Sequence, residues 1–174
     1  MNNAYLLLGT NEGNKFSNLE AAIASVKEHI GKVIVLSSVY ETEPWGFSEQ
    51  PVFYNQVLLV ETVLSPQQIL LAISETEKNM GRNRGADTKW KQRIIDIDIL
   101  FYNDSVLETP DLTIPHPRLH ERNFTLSPLA EIAGHYRHPV LDKTVSELAA
   151  ACKDVLKAKK IIADTFIYSR TLDP

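Results

Sequence analysis

The chain has 174 residues, of which 44% are hydrophobic and 23% charged, with a formal net charge of -4 and one cysteine, Cys152. This composition is that of a globular protein, and the length fits a single domain, residues 1–174. The lone cysteine excludes an internal disulfide, and the acidic balance argues against nonspecific nucleic-acid binding. The N-terminal apolar run has no basic start and is too short for a signal peptide or a transmembrane helix, so we expect a cytoplasmic protein with no membrane partner.

The chain opens with a predicted strand and helix. Residues 3–9 form a short apolar run typical of a strand. The glycine-containing stretch 8–16 lacks the spacing of a phosphate-binding loop, and we interpret it as a tight turn. Ser17, three residues before Glu20, predicts a capping box that opens the helix, and Gly31 predicts its end.

Two strands, a second helix and a polar loop are predicted next. The strand-like stretches are residues 32–43 and 52–64, with a turn-rich segment between them. Ser65 and the proline after it are typical of the first residues of a helix, which runs to about Met80. Residues 81–93 carry two glycines and show no period, which predicts a mobile loop.

Residues 93–100, RIIDIDIL, predict a strand with two different faces. Three isoleucines alternate with Asp96 and Asp98, so both carboxylates leave one face with their Cα atoms roughly 6.6 Å apart. One interpretation is the solvated face of a half-exposed strand. The other is a divalent-metal site, because two hard oxygen donors on a rigid surface suit Mg²⁺. The arginines and the tryptophan of the preceding loop favour the second, with a polyphosphate held between metal and guanidinium groups.

The order of these elements, β-α-β-β-α-β, predicts the ferredoxin-like arrangement of the α+β class. We expect a mainly antiparallel sheet with helices on one face and with the first and last strands of the set at its centre. The isoleucines of RIIDIDIL should face the helices and its aspartates should face solvent or a ligand. Further short helices are predicted near 125–133 and 144–152, the second opened by a capping box of Thr144 and Glu147.

Candidate ligand-binding residues also lie in a proline-rich stretch around His116. Prolines on both sides fix its backbone, and we expect His116 and Arg122 to contact phosphate. We interpret His120 as a structural hydrogen-bonding residue. Trp45 and Trp90 lie in polar loops, where an exposed aromatic ring often closes over a flat ligand.

Five motifs in order give the chain a resemblance to a known family. They are YETEPWG (40–46), QPxFxN (50–55), ExxxGRxR (77–84), WxxRxxDIDIL (90–100) and PHPRLHERxFxLxPL (115–129). Together they resemble the 6-hydroxymethyl-7,8-dihydropterin pyrophosphokinases of folate synthesis over roughly residues 4–150. The resemblance implies transfer of pyrophosphate from ATP to the hydroxymethyl group of 6-hydroxymethyl-7,8-dihydropterin, with release of AMP, by a monomer.

The same resemblance implies roles for single residues. Two Mg²⁺ ions would be held by Asp96 and Asp98, which would act in catalysis together with Arg82 and Arg93. The implied ATP-binding residues are Glu77, Arg84, Trp90, Ile99, Thr113, His116 and Arg122. The implied pterin-binding residues are Thr42, Glu43, Trp45, Phe53, Asn55, Trp90, Asp96 and Phe124.

Parts of the sequence depart from the family pattern. Lys91 and Gln92 stand where the family commonly has Gly-Pro, and Asp111 stands where some members carry a basic ATP contact. Residues 158–174 fall outside the resemblance, so we separate a core, 1–157, from this tail. Its apolar alternation fits an added strand or a contact between copies, and the sequence leaves both open.

Two other functions remain open from the sequence. A Mg-dependent nucleotidyltransferase or phosphodiesterase could use the same Asp-x-Asp pair, but it would not need the pocket residues Phe53, Asn55 and Phe124. A ferredoxin-like RNA-binding module would share the order of elements, but the aromatic strand motif of such modules is missing.

Overall fold

The strands and helices up to the acidic strand follow the predicted order along the chain. The computed structural model describes residues 1–44, 50–82 and 93–161. The elements up to the acidic strand are β1 (Asn2–Thr10), α1 (Lys15–His29), β2 (Lys32–Leu36), β3 (Val39–Thr42), β4 (Phe53–Thr62), α2 (Pro66–Asn79) and β5 (Asp96–Tyr102). The remaining elements are β6 (Leu107–Glu108), β7 (Thr113–Ile114), a 3-10 helix (Leu119–Glu121), α3 (Asn123–Ala133), α4 (Val145–Ala151) and β8 (Ala158–Ile161). Among the described helices, none has the length and apolar character needed to cross a membrane.

Helix α1 begins three residues earlier than the sequence pattern predicts. Asn14 is its N-cap, and the Asn14 side chain accepts a hydrogen bond from the Ser17 N–H at 3.1 Å. The predicted capping box of Ser17 and Glu20 is therefore wrong, because Asn14 already provides the acceptor that the first turn needs. Gly13, just before the cap, has φ +61°, and this is the tight turn expected of the glycine-containing stretch.

Within the described residues, six strands form one antiparallel sheet in the order β5-β1-β4-β3-β8, with β2 also paired to β4. The ferredoxin-like prediction is confirmed for the order of elements and the antiparallel pairing. The predicted central position of the last strand is wrong, since β5 lies at an edge and β1 and β4 lie at the centre. Each helical crossover joins two parallel strands with one strand between them, so α2 carries the chain from β4 past β1 to the edge.

The predicted strand 32–43 is two strands, β2 and β3, which separate at Ser37. The Ser37 hydroxyl accepts a hydrogen bond from the Val57 N–H at 2.9 Å, and the Ser37 carbonyl accepts one from Gln56 Nε2 at 2.7 Å. Side-chain groups thus replace part of the backbone ladder at this point, and the regular pairing with β4 is interrupted.

Helices cover both faces of the sheet, whereas the sequence predicted them on one face. Helices α1 and α2 pack against the three isoleucines of residues 95–99, so the prediction that the isoleucines face helices is confirmed. On the other face, Leu100 and Phe101 of β5 pack with Leu126 of α3 and Leu148 of α4. The strand itself spans Asp96–Tyr102 and so starts and ends later than predicted.

The C-terminal elements follow the sequence closely. Helices α3 and α4 agree with the predicted helices near 125–133 and 144–152, and the capping box of Thr144 and Glu147 is present. The first four residues of the predicted tail form β8, which pairs with β3 and adds a strand to the sheet. The rest of the tail, residues 162–174, lies outside the described residues.

Candidate active site

A cavity of about 360 Å³ lies on the sheet face that carries Asp96 and Asp98. The predicted pterin residues that line it, besides Asp96, are Thr42, Glu43, Phe53, Asn55 and Phe124. The predicted catalytic or phosphate-binding residues that line it are Arg93, Asp96, Asp98 and Arg122. The fold therefore brings together residues from β3, β4, β5 and the start of α3 that are far apart in the sequence.

The polar end of Asn55 is held in a fixed place in this cavity. Asn55 Nδ2 donates a hydrogen bond to Thr42 Oγ1 at 2.7 Å, and only 3% of Asn55 is exposed. Gly9 lies opposite Asn55 on β1, and a Cβ at that position would lie 3.0 Å from Asn55 Oδ1. Glycine at position 9 thus leaves room for the amide, which offers both a donor and an acceptor.

The surroundings of Asp98 disfavour the charged form of its carboxylate. Burial, together with the negative charge of Asp96, raises the pKa of Asp98 to about 7, against the opposing effects of Arg122 and Arg82. The two carboxylates leave β5 on the same side, as the alternation predicts. A divalent cation would favour the charged form of both carboxylates, whose hard oxygen atoms are the ligands that Mg²⁺ prefers.

Asp96 is bound by two arginines, one on each oxygen. Arg82 Nη1 donates to Asp96 Oδ1 at 2.6 Å, and Arg93 Nη1 donates to Asp96 Oδ2. Arg82 also donates to Glu77 Oε1, which accepts the Ile97 N–H at 2.9 Å. Burial acts to lower the pKa of Arg82, but the charges of Asp96 and Glu77 outweigh it and the pKa is raised. Glu77 therefore supports Arg82 and joins α2 to β5, and it does not line the cavity.

Asn11 is a site residue that the sequence analysis missed. Its N–H donates to the Arg93 carbonyl at 3.0 Å, and its Oδ1 accepts the Arg93 N–H at 2.6 Å. Asn11 Nδ2 also donates to Gln50 Oε1 at 3.2 Å. These partners are 39 and 82 residues away in the sequence, so no local pattern could have shown the contact.

His116 lies beside the cavity and is held as a neutral ring. The backbone N–H of His116 donates to the Leu100 carbonyl at 2.9 Å, and its ring Nδ1 accepts the backbone N–H of Arg118 at 3.2 Å. The ring proton is therefore on Nε2. Burial and the positive charge of Arg122 lower the pKa of His116 to about 4. His116 can thus donate a hydrogen bond from Nε2 to a phosphate at neutral pH.

Other predicted residues do not meet in the cavity. The Ile99 side chain packs in the core under α1 and α2, so it could reach ATP only through its main chain. Thr113 pairs with Glu108 in the small sheet of β6 and β7 and does not line the cavity. The predictions that lie outside the described residues concern Trp45, Arg84, Trp90, Lys91 and Gln92.

Five lining residues were not assigned a role from the sequence: Leu7, Gly9, Pro44, Gln50 and Arg118. Gly9 had a readable signal, because it is a glycine at the end of an apolar strand. Arg118 lies within the proline-rich motif, but basic residues alternate there, and the pattern did not single out Arg118 as a cavity residue.

Among the described residues, no group of three or more His, Cys, Asp or Glu side chains could hold a metal ion. The pair Asp96 and Asp98 nevertheless fits Mg²⁺, which commonly takes one or two carboxylates and completes its coordination with water and substrate phosphates. The protein supplies part of such a site, and a phosphate-bearing ligand would supply the rest.

Sequence comparisons agree on one family. The family model described as 7,8-dihydro-6-hydroxymethylpterin-pyrophosphokinase matches residues 5–134. The chain is 42% identical over 147 residues to a 2-amino-4-hydroxy-6-hydroxymethyldihydropteridine pyrophosphokinase of Aquifex aeolicus, covering 84% of this chain and 90% of that protein. It is 40% identical over 134 residues to the protein of the same name from Bacillus subtilis, covering 76% of this chain and 79% of that one.

This chain also matches part of some longer proteins. The folic acid synthesis protein fol1 of Pneumocystis carinii is 39% identical over 142 residues, covering 82% of this chain and 19% of that protein. A crystal structure of HPPK-DHPS from Plasmodium falciparum superposes with a TM-score of 0.73 at 23% identity, covering 86% of this chain and 45% of that chain. The chain thus spans less than half of that structure, and the likeness at this identity concerns the fold.

Proposed function

The chain belongs to the 7,8-dihydro-6-hydroxymethylpterin-pyrophosphokinase family, and from this premise we propose which of its side chains transfer pyrophosphate from ATP to hydroxymethyldihydropterin in folate synthesis. One observation carries the proposal: a single cavity joins the residues suited to a flat ligand to Asp96 and Asp98 and to Arg93 and Arg122. Neither alternative function requires both sets of residues in one cavity.

The pterin binds, in this proposal, at the end of the cavity lined by Phe53, Asn55 and Phe124. The two phenylalanine rings offer apolar surface to the faces of the pterin, and the Asn55 amide offers a donor and an acceptor to its polar edge. Thr42 holds the amide in that orientation. The hydroxymethyl group of a pterin bound there can approach Asp96 and Asp98, which line the same cavity.

The phosphates of ATP bind on the basic side of the cavity. The hydroxymethyl oxygen attacks the β-phosphorus, its proton passes to the carboxylate of Asp98, the bond from that phosphorus to the α,β-bridging oxygen breaks, and AMP leaves. Arg82, Arg93 and Arg122 stabilise the negative charge that develops on the phosphate oxygens. His116, which is neutral, donates a hydrogen bond from Nε2.

Asp96 and Asp98 would hold Mg²⁺, and we propose two ions when ATP is bound. A bound ion neutralises phosphate charge and orients the reacting oxygens. Both oxygens of Asp96 accept hydrogen bonds from arginines. Arg82 and Arg93 are therefore already beside the acidic strand and can turn from Asp96 to a phosphate group.

We further propose that the chain acts as a monomer in the cytoplasm, on ATP and 6-hydroxymethyl-7,8-dihydropterin, with no nucleic-acid or membrane partner. The formal net charge of -4 and the ordinary globular composition support this. We also propose that residues 1–174 form a single domain, with a pyrophosphokinase core of residues 1–157.

The test is AMP formation from ATP and Mg²⁺, with and without the pterin, followed by chromatography beside the pterin product. We expect pterin-dependent AMP and a diphosphorylated pterin from the parent protein. Asp98→Ala should lower turnover by at least about a hundredfold with little change in stability, because the Asp98 side chain lines the cavity and the neighbouring isoleucines pack on the opposite face of the strand.

Glu61→Ala is the matched control, since it removes a carboxylate from the far end of β4 and should leave turnover unchanged. Release of pyrophosphate in place of AMP would indicate nucleotidyl transfer. Full activity of Asp98→Ala would show that the assigned metal site is wrong.

A further inference from the structure

Helix α3 presents two residues of the cavity at its N-terminus. Arg122 occupies the N-cap position, Phe124 is the second helical residue, and both line the cavity. The Arg122 guanidinium carbon lies 5.4 Å from the centre of the Phe124 ring. The position of this helix end therefore decides where the two side chains meet a ligand.

The cap of this helix end comes from a distant part of the chain. The Arg122 side chain makes no capping hydrogen bond, although the N–H groups of a first helical turn need acceptors. Asp154 Oδ2 accepts the Asn123 N–H at 2.9 Å, across 31 residues of sequence. A carboxylate at a helix N-terminus is also favoured by the helix dipole.

Further hydrogen bonds fix Asp154 in this position. Asn123 Nδ2 donates to the Asp154 main-chain oxygen at 2.5 Å and to the Leu156 carbonyl at 3.2 Å. The Leu156 N–H donates to Asp154 Oδ1 at 3.0 Å. Each carboxylate oxygen thus has its own donor, and the segment around Asp154 is joined to α3 through both backbone and side chain.

The same segment also reaches the last turn of α3. Lys160 Nζ of β8 donates to Glu131 Oε1 at 3.0 Å, and Glu131 accepts hydrogen bonds from Ser38, just before β3, and from Tyr40 of β3. The C-terminal segment, residues 154–160, therefore contacts α3 near both ends. It lies beyond residues 5–134, which the family model matches.

We propose that Asp154 is a positioning residue for pterin binding, which holds the N-terminus of α3 so that Phe124 meets the ligand in the cavity. The inference rests on the proposed function, because it takes Phe124 as a pterin contact. Asp154 does not line the cavity, so its effect reaches the ligand through α3.

The experiment compares steady-state AMP formation by Asp154→Ala and the parent at saturating ATP. Losing the capping acceptor should raise the KM for the pterin about fivefold, with kcat within about twofold of the parent. Asp154→Asn keeps an amide oxygen that can accept the Asn123 N–H and should restore most of the affinity. If Asp154→Ala is not recovered folded, Asn123→Ala loosens the same contact from the other side and should raise the KM in the same direction.

Thr144→Ala is the matched control, because it removes the N-cap of α4, which does not line the cavity. Both substitutions should lower the melting temperature, but only Asp154→Ala should change the KM for the pterin. A purely structural role would reduce the amount of folded enzyme and leave the KM at the parent value, and that result would overturn the inference.

Phe124→Ala separates this inference from the proposed function. If Phe124→Ala raises the KM for the pterin and Asp154→Ala does not, the inference about Asp154 is wrong and the pocket assignment stands. If Phe124→Ala leaves that KM unchanged, the pocket assignment is wrong and the inference falls with it.

Discussion

Single residues fix the position or the protonation of polar groups at the cavity. Gly9 is one example, because its missing side chain makes room for the Asn55 amide. His116 is another, since a backbone N–H fixes which ring nitrogen carries the proton. Replacing Gly9 would move the Asn55 amide, and replacing His116 would remove a neutral hydrogen-bond donor from the site.

Gly9→Ala should weaken pterin binding through Asn55. The new Cβ would lie 3.0 Å from Asn55 Oδ1, so the amide must move by a few tenths of an ångström. We expect the KM for the pterin to rise roughly fivefold while the KM for ATP stays the same. In an Asn55→Ala background the same substitution should have no further effect, and a double-mutant cycle measures this. An equal effect in both backgrounds would show that Asn55 is not the group displaced.

His116 should make stability depend on pH in one direction. Its pKa in the folded protein is about 4, below the ordinary value of 6.5, so the unfolded chain takes up the proton first as the pH falls. The stability that depends on the neutral ring is complete above about pH 6.5 and is lost progressively between about pH 6.5 and pH 4.

Urea unfolding of the parent and of His116→Gln, in the presence of a chelator, tests this pH dependence. The parent should lose stability relative to the variant by at most about 1.4 kcal/mol per pH unit as the pH falls in that window. Contributions from other groups, including Asp98, are present in both proteins and cancel in the difference. A difference that does not change with pH would mean that the ring is not buried as the structure has it.

At the scale of elements, the acidic strand is held by the helix that precedes it. Glu77 is 1% exposed and joins α2 to the Ile97 N–H of β5 and to Arg82. Helix α2 therefore fixes both the strand that carries the aspartates and one arginine that balances them. The packing of α2 against β5 and the charge balance around Asp96 thus both depend on the Glu77 carboxylate.

Glu77→Ala should destabilise the protein more than Glu77→Gln. Alanine leaves the buried Ile97 N–H without its acceptor and removes one of the two carboxylates that bind Arg82, which we expect to cost about 3 kcal/mol in the free energy of unfolding. Glutamine keeps an oxygen for the N–H and should cost about 1 kcal/mol. Urea unfolding of the two variants measures the gap, and equal losses would show that the bond to Ile97 contributes nothing.

At the scale of the whole molecule, the C-terminal strand completes one side of the sheet. β8 pairs with β3 over four residues, and Lys160 binds Glu131 of α3. β8 thus connects the sheet to α3, and it lies outside the residues covered by the family resemblance.

A chain that ends at residue 157 should be less stable than one that ends at residue 161. The shorter chain loses the pairing of β8 with β3 and the bond from Lys160, and we expect a cost of roughly 1–2 kcal/mol in the free energy of unfolding. The chain ending at residue 161 is the matched control, because both lack residues 162–174. Equal unfolding midpoints for the two chains would contradict a stabilising role for β8.

The sequence by itself determined the order of elements, the isoleucine face of β5, the capped starts of α2 and α4 and, through five motifs, the family. These features are local, because side-chain period, capping residues and motif spacing are all read within one segment. Only the tertiary structure decided that β5 lies at an edge, that helices cover both faces, that Asn11 contacts Arg93, and that Asp154 caps α3. Those outcomes depend on contacts between residues far apart in the chain, and no spacing along the sequence records which distant groups will meet.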